Sequence, residues 1–268
     1  MKIISLTTIP SRFAGIGATL ESLLAQGADE VRLYIPAHYA RFPDWNKILP
    51  DVPAGVQVHR TDRDLGPATK VLPAARDLWG QNAQILFCDD DCIVENGWAS
   101  RLFESQARRP SEAVASYVRS AQGYVPNVVR APGIRARQLP IRYDVPFRAS
   151  RLAHKLLGTR VLRRRPFVIA GYGEIFFGAG GVVVRPGFFD NIAFEIPEIA
   201  RPVDDVWLSA MLARKGIRIY CPWMAALPTA VANSEIDALQ SATFRGMGRQ
   251  DLNRAAARLC QEMFDIWR

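Results

Sequence analysis

Three consecutive carboxylates, Asp89, Asp90 and Asp91, stand between two apolar runs in the stretch 85–94, Ile-Leu-Phe-Cys-Asp-Asp-Asp-Cys-Ile-Val. An apolar run rich in Ile, Leu and Phe reads as a buried strand. A strand interior cannot hold three charges, so the acids are expected where the chain leaves the core. Carboxylates this crowded repel one another unless a cation or hydrogen-bond donors offset the charge, and a hard divalent ion such as Mg or Mn suits an all-oxygen site. A solvated acidic turn following the strand is the alternative. Cys88 and Cys92 flank the triplet and read either as soft-metal ligands or as buried small hydrophobes.

A second acidic pair, Asp204-Asp205, opens a helical stretch that runs to Lys215 before Gly216. Acids in a first helical turn complement the helix dipole. A carboxylate there can also point into a cleft and serve as a general base. Two further segments, one before the triplet and one between it and this pair, are suited to binding. In 61–70, Pro67 can take the first helical position, so that free N–H groups with Thr69 and Lys70 would face an anion. The P-loop pattern is missing, and an ordinary capped helix reads equally well. In 171–181, dense glycines would allow close backbone approach to a ligand, or simply a tight turn between strands.

The elements that must position these residues are strands at 2–9, 31–35, 56–59, 84–88, 113–118, 182–184 and 217–220. Helices are expected at 16–26, at 67–79 with a kink or restart at Pro73, from Asn96 as cap to 109, and near 150–157. A C-terminal helix over 249–267 would turn Leu252, Ala256, Leu259, Met263 and Trp267 to one face, to dock on the core or lie on a membrane. Strand, helix, strand at these lengths implies an α/β fold with a parallel sheet. Ligands of such sheets bind beyond the carboxyl ends of the strands, which would gather Thr7, Thr8 and Arg12, Asp62 and Asp64, and Asp89 to Asp91 along one edge.

At 268 residues with 49% apolar and 22% charged side chains, the composition predicts one globular domain rather than disorder. Neither a signal peptide nor an apolar run of about 18 residues is apparent, and four scattered cysteines fit a reducing cytoplasm. The formal net charge of +8 is unevenly spread. Segment 128–166 carries ten arginines (Arg130, Arg135, Arg137, Arg142, Arg148, Arg151, Arg160, Arg163, Arg164 and Arg165) plus Lys155 against one acid, Asp144. That is a net +10, and the remainder of the chain is about −2. A basic, proline-rich insertion in a near-neutral protein calls for an anionic partner: first a membrane surface, then a phosphate-bearing substrate, and last nucleic acid.

The segments 6–12, 65–73, 86–94, 177–186 and 204–208, in this order, resemble a GT-A-type glycosyltransferase, in particular small bacterial glycosyltransferases that begin with a Leu-Thr-Thr-Ile-Pro-Ser-Arg-like strand. The acid triplet is similar to that fold's Asp-x-Asp motif. The resemblance implies a single GT-A-like (Rossmann-like) α/β domain over 1–268, with a mixed, mostly parallel sheet flanked by helices. Residues 1–120 would bind the nucleotide sugar, most commonly a UDP-sugar, and 121–268 the acceptor. Thr7, Thr8, Arg12 and Asp62 would hold base and ribose, and Lys70 would approach the diphosphate. Asp89 and Asp90 would also border the donor, with Asp91 the direct ligand of Mn or Mg and Asp89 meeting the metal through solvent. Gly180 and Gly181 would border the acceptor, a glycan or lipid-linked molecule. Asp205 maps onto the base of an inverting reaction, with Asp204 as its substitute, and Arg245 and Arg249 are candidates to neutralise the diphosphate. Such an enzyme would work in the cytoplasm, at the inner face of the membrane if the Arg-rich insertion touches lipid. Two further classes compete: a sugar nucleotidyltransferase, for which 7–17 is a poor match to the basic glycine-rich loop, and a non-catalytic binder of nucleic acid or lipid headgroups.

Overall fold

A computed structural model describes residues 1–129, 133–159, 161–162, 164–223, 225–231, 235–237, 244 and 246–268. Arg130, Arg160, Arg163 and Arg245, named above, lie outside the described residues. Eight strands build the main sheet: β1 (Lys2–Thr7), β2 (Glu30–Pro36), β3 (Val56–Thr61), β4 (Gln84–Phe87), β5 (Ala113–Ala115), β6 (Gly171–Gly173), β7 (Val182–Val184) and β8 (Ile219–Cys221). Their spatial order is β6-β8-β5-β7-β4-β1-β2-β3. The sheet is mixed and mostly parallel: β6 and β7 alone run against the other six.

Alternation along the central strands sorts the core onto two faces. Ile4, Leu86, Val114 and Val183 point to the face covered by α1 (Gly17–Leu24) and α3 (Trp98–Ala107). Ile3, Ile85, Phe87 and Val184 point to the other, covered by α2 (Leu72–Asp77), α5 (Asp204–Arg214) and α6 (Arg249–Phe264). Both faces being covered, the central strands are apolar on both sides, as their sequence runs imply. The helix α5 buries Val206, Trp207, Leu208, Ala210, Met211 and Leu212, because it is wedged between the sheet and α6.

Several element boundaries differ from the sequence expectations. The 67–79 segment is a 3-10 turn, Gly66–Lys70, followed by α2, with the break at Val71 and Pro73 in the first turn of the restarted helix. Asn96 is not the cap of α3; Gly97 takes that place with φ 74°. The insertion's helix is longer than expected: α4 (Val145–Leu157) is capped by Asp144, whose Oδ1 accepts from the Phe147 N–H at 3.3 Å. On α6 the buried positions are Leu252, Ala256, Ala257 and Cys260, so the helix docks on the core. Met263, expected on that face, is 52% exposed. No helix among the described residues is long and apolar enough to cross a membrane.

Candidate active site

The acid triplet follows β4 directly, at the carboxyl end of the sheet. It is divided among three environments. Asp90 is buried and spent internally: Thr8 Oγ1 donates to its Oδ2 at 2.5 Å, and Arg12 Nη1 donates to its Oδ1 at 2.6 Å. Burial raises the Asp90 carboxyl, against the opposing pull of Arg12 and Thr8. Asp91 is half-buried and shares Arg12, whose Nη1 lies 3.1 Å from Oδ2. Its carboxyl is pushed up to about 6, first by burial and then by the charges of Asp89 and Asp90. Asp89, the most open of the three, accepts from Lys70 Nζ at 2.8 Å. The Cys92 thiol donates to the Asp89 backbone oxygen at 3.3 Å and so braces the turn; all four cysteines are free and buried.

Lys70 links the triplet to the second acidic pair. Only 3% exposed, it sits at the end of the Gly66–Lys70 turn, which Ser5 ties to β1 by donating to the Lys70 carbonyl at 2.6 Å. Packing of α5 against this turn brings Asp204 Oδ2 to 2.9 Å from Lys70 Nζ, a charge contact rather than an aligned hydrogen bond. Burial would lower the Lys70 ammonium, yet Asp204, Asp89 and Asp205 together hold it well above its ordinary value. The segment expected to present Thr69 and Lys70 to an anion is a 3-10 turn in which both side chains are engaged within the protein. Thr69 Oγ1 accepts from the Leu65 N–H at 3.2 Å, and Lys70 faces carboxylates.

Of the pair, Asp204 is buried while Asp205 is half-buried, crowded by protein atoms yet still reaching solvent. Asp205 Oδ1 accepts from the Gly178 N–H at 3.1 Å. Burial, then the neighbouring charge of Asp204, pushes the Asp205 carboxyl up to about 7, against the pull of Lys70. The glycine stretch reaches this point because β7 is antiparallel to its neighbours: Val182 pairs with both Phe87 and Ala115, so the turn before β7 meets the carboxyl ends of β4 and β5. A Cβ on Gly178 would stand 2.7 Å from Asp205 Oδ1 and 2.8 Å from Lys70 Nζ, so any side chain there would displace these two groups.

The remaining expected residues divide as follows. Gly180 and Gly181 are buried, and a Cβ on them would meet Ser116 Oγ at 2.4 Å and Trp98 Cζ2 at 2.2 Å respectively, so neither position has room for a side chain. Thr7 Oγ1 donates to the Tyr34 carbonyl at 2.7 Å. Asp62 is exposed beyond β3, two strands from β1, and Asp64 shapes that loop by accepting from Ala40 and Gly66 N–H groups at 2.8 and 2.7 Å. Arg249 donates to the Pro202 carbonyl and acts on Asp205 only electrostatically. Sequence reading missed that Gly178 rather than its neighbours holds Asp205, and that Lys70 joins the two acidic pairs. It also missed a depression of about 490 Å³ lined by Pro10, Phe13, Trp45 and Ile48 among others.

No protein-family model and no curated protein matches the chain. Among solved structures, the chain is similar to residues 1–349 of TarS from S. aureus, at 14% identity and TM-score 0.45, over 98% of this chain and 72% of that one. It is similar also to GalNAc-T7, solved with UDP, GalNAc and Mn2+, at 12% identity and TM-score 0.47, over 92% of this chain and 44% of that one. Likeness at this level carries no argument about activity, which rests on the site itself.

Proposed function

We propose that this chain is a GT-A-type glycosyltransferase that moves a sugar from a nucleotide-sugar donor to a hydroxyl of a glycan or lipid-linked acceptor with inversion, Asp205 being the general base. The observation that carries this reading is the meeting of Asp89 with Asp204 and Asp205 around Lys70, next to Asp90 and Asp91 on Arg12. A donor's diphosphate belongs beside the triplet, and the acceptor hydroxyl beside Asp205. Gly178 holds Asp205 Oδ1, leaving Oδ2 to take the acceptor proton. A carboxyl titrating near 7 suits a general base at neutral pH.

Among the groups described, five carboxylates (Asp89, Asp90, Asp91, Asp204, Asp205) face two close cations, Arg12 and Lys70. The excess negative charge, felt in the raised Asp91 and Asp205 carboxyls, favours a divalent cation. Among the described residues no three acidic, His or Cys side chains are placed to share one metal ion. Mg or Mn would therefore be held by one or two carboxylates, Asp91 and Asp89, and completed by donor phosphate oxygens. Bound there, the ion would act as a Lewis acid on the departing diphosphate. Arg12 orients Asp91, and Lys70 orients Asp89.

The test is to offer the chain a panel of nucleotide sugars with Mn or Mg, reading nucleotide release and thermal protection. Protection by one donor, metal-dependent, supports the reading, and an inverted anomeric product supports the role of Asp205. No response to any donor, or release of pyrophosphate from a nucleoside triphosphate and sugar phosphate, would overturn it.

A further inference from the structure

The helix α4 buries none of its side chains. Val145, Ala149, Leu152 and Leu156 follow helical spacing i, i+4, i+7 and i+11, which puts them on one stripe. That stripe faces solvent: Val145 is 66%, Leu152 58% and Leu156 70% exposed. Arg148, Arg151 and Lys155, all exposed, run along its border, while Phe147, Ser150 and Ala153 are half-buried on the inner side. Ile141 and Tyr143 in the turn before the helix are exposed as well, and so is Leu162, whose N–H donates to Ser150 Oγ at 3.1 Å. Solvent alone does not explain aliphatic side chains at these positions, and an exposed apolar helical stripe with a charged border marks a contact surface.

We propose that this face docks on an anionic lipid bilayer, with α4 lying in the interface plane. Val145, Leu152 and Leu156 would enter the acyl boundary, and Arg148, Arg151 and Lys155 would meet the headgroup charges. The sequence of segment 128–166 carries +10 against about −2 elsewhere, and of its described residues Arg148, Arg151 and Lys155 stand exposed on α4 itself, a charge that suits a negative surface. A nucleic acid is served less well, since the stripe is aliphatic and offers no rings for base stacking. A second copy would bring Arg148, Arg151 and Lys155 toward their own counterparts, a like-charge contact. The docked face is tied to the candidate site: Arg165, on the return from the insertion, pairs with Glu95 at 2.9 Å, four residues past Asp91. This inference stands apart from the transferase reading, and each can fail alone.

Co-sedimentation of the 268-residue chain with vesicles of phosphatidylcholine alone, and of phosphatidylcholine with phosphatidylglycerol, tests it. Binding to the anionic vesicles is expected, weakening with salt, and falling by at least about tenfold in Leu152→Glu/Leu156→Glu. Both side chains are exposed in the free protein, so the double variant should melt with the wild type, which separates lost docking from lost folding. Failure of the wild type to sediment with anionic vesicles at low salt would sink the proposal, as would undiminished sedimentation of the double variant. A wild-type dimer that the double variant converts to monomer, without vesicle binding, would assign the face to a second copy instead. Retardation of a short RNA duplex without vesicle binding would assign it to nucleic acid.

Discussion

At the scale of single residues, the raised carboxyl of Asp205 makes two opposite demands on pH. Its charged form is the base, so transfer should climb as pH rises through about 7. The folded state, however, holds a proton that the unfolded chain releases near the ordinary value of about 3.9. The stabilisation from this group is therefore complete below that value and is lost as pH rises to about 7. Asp205→Asn should keep donor affinity while lowering the transfer rate by about 10²- to 10⁴-fold and removing the acid limb of the pH–rate profile. The same variant should melt no lower than the wild type at pH 8, with Tm rising by about 2–4 °C for each kcal/mol relieved. Normal transfer by Asp205→Asn would refute the base assignment. Asp91→Asn, by contrast, should abolish the Mn- or Mg-dependent part of donor affinity measured by titration calorimetry, and unchanged affinity would move the ion elsewhere.

At the scale of elements, the Gly66–Lys70 turn, the triplet turn and the start of α5 are held together by one ammonium. Lys70→Met should destabilise the fold by about 3–5 kcal/mol in denaturant unfolding, since it leaves the buried Asp204 without its counter-charge. The turn before β7 offers a contrast between two glycines. In Gly178→Ala the intruding Cβ meets side-chain ends, Asp205 Oδ1 and Lys70 Nζ, which can shift. That variant should fold at a cost of about 1–3 kcal/mol and lose activity. In Gly181→Ala the Cβ would stand 2.2 Å from the buried Trp98 ring, at φ +97°, and little soluble protein is expected. The triplet's place at a strand end was legible because an apolar run stops abruptly at Asp89, and α5 because two acids precede a helical pattern closed by Gly216. Lys70 and Asp204 are 134 positions apart, and local pattern carries no sign of such a pairing. The start of α4 was hidden because Pro146 reads as a breaker, whereas in the first turn behind the Asp144 cap it is well placed. The α6 face was rotated because Ala257 and Cys260 bury more fully than the larger Leu259 and Met263.

At the scale of the whole molecule, stability should be graded from the centre of the sheet outward. Amides of β1, β4 and β7, flanked by strands and covered on both faces, should exchange with solvent deuterium slowest, and those of α4, which buries nothing, fastest among the helices. Equal protection in α4 and β4 in the free protein would contradict the described packing. The placement of β7 has a consequence for synthesis. The strand β4 takes β1 on one side, made long before it, and β7 on the other, where Leu86 pairs with Val183. On the ribosome, a nascent chain thus carries an open, apolar strand edge beside its acid triplet until residue 184 has been made and has left the exit tunnel. Pauses in translation between those points would prolong the interval in which chaperones, or other unfinished chains, can pair with that edge.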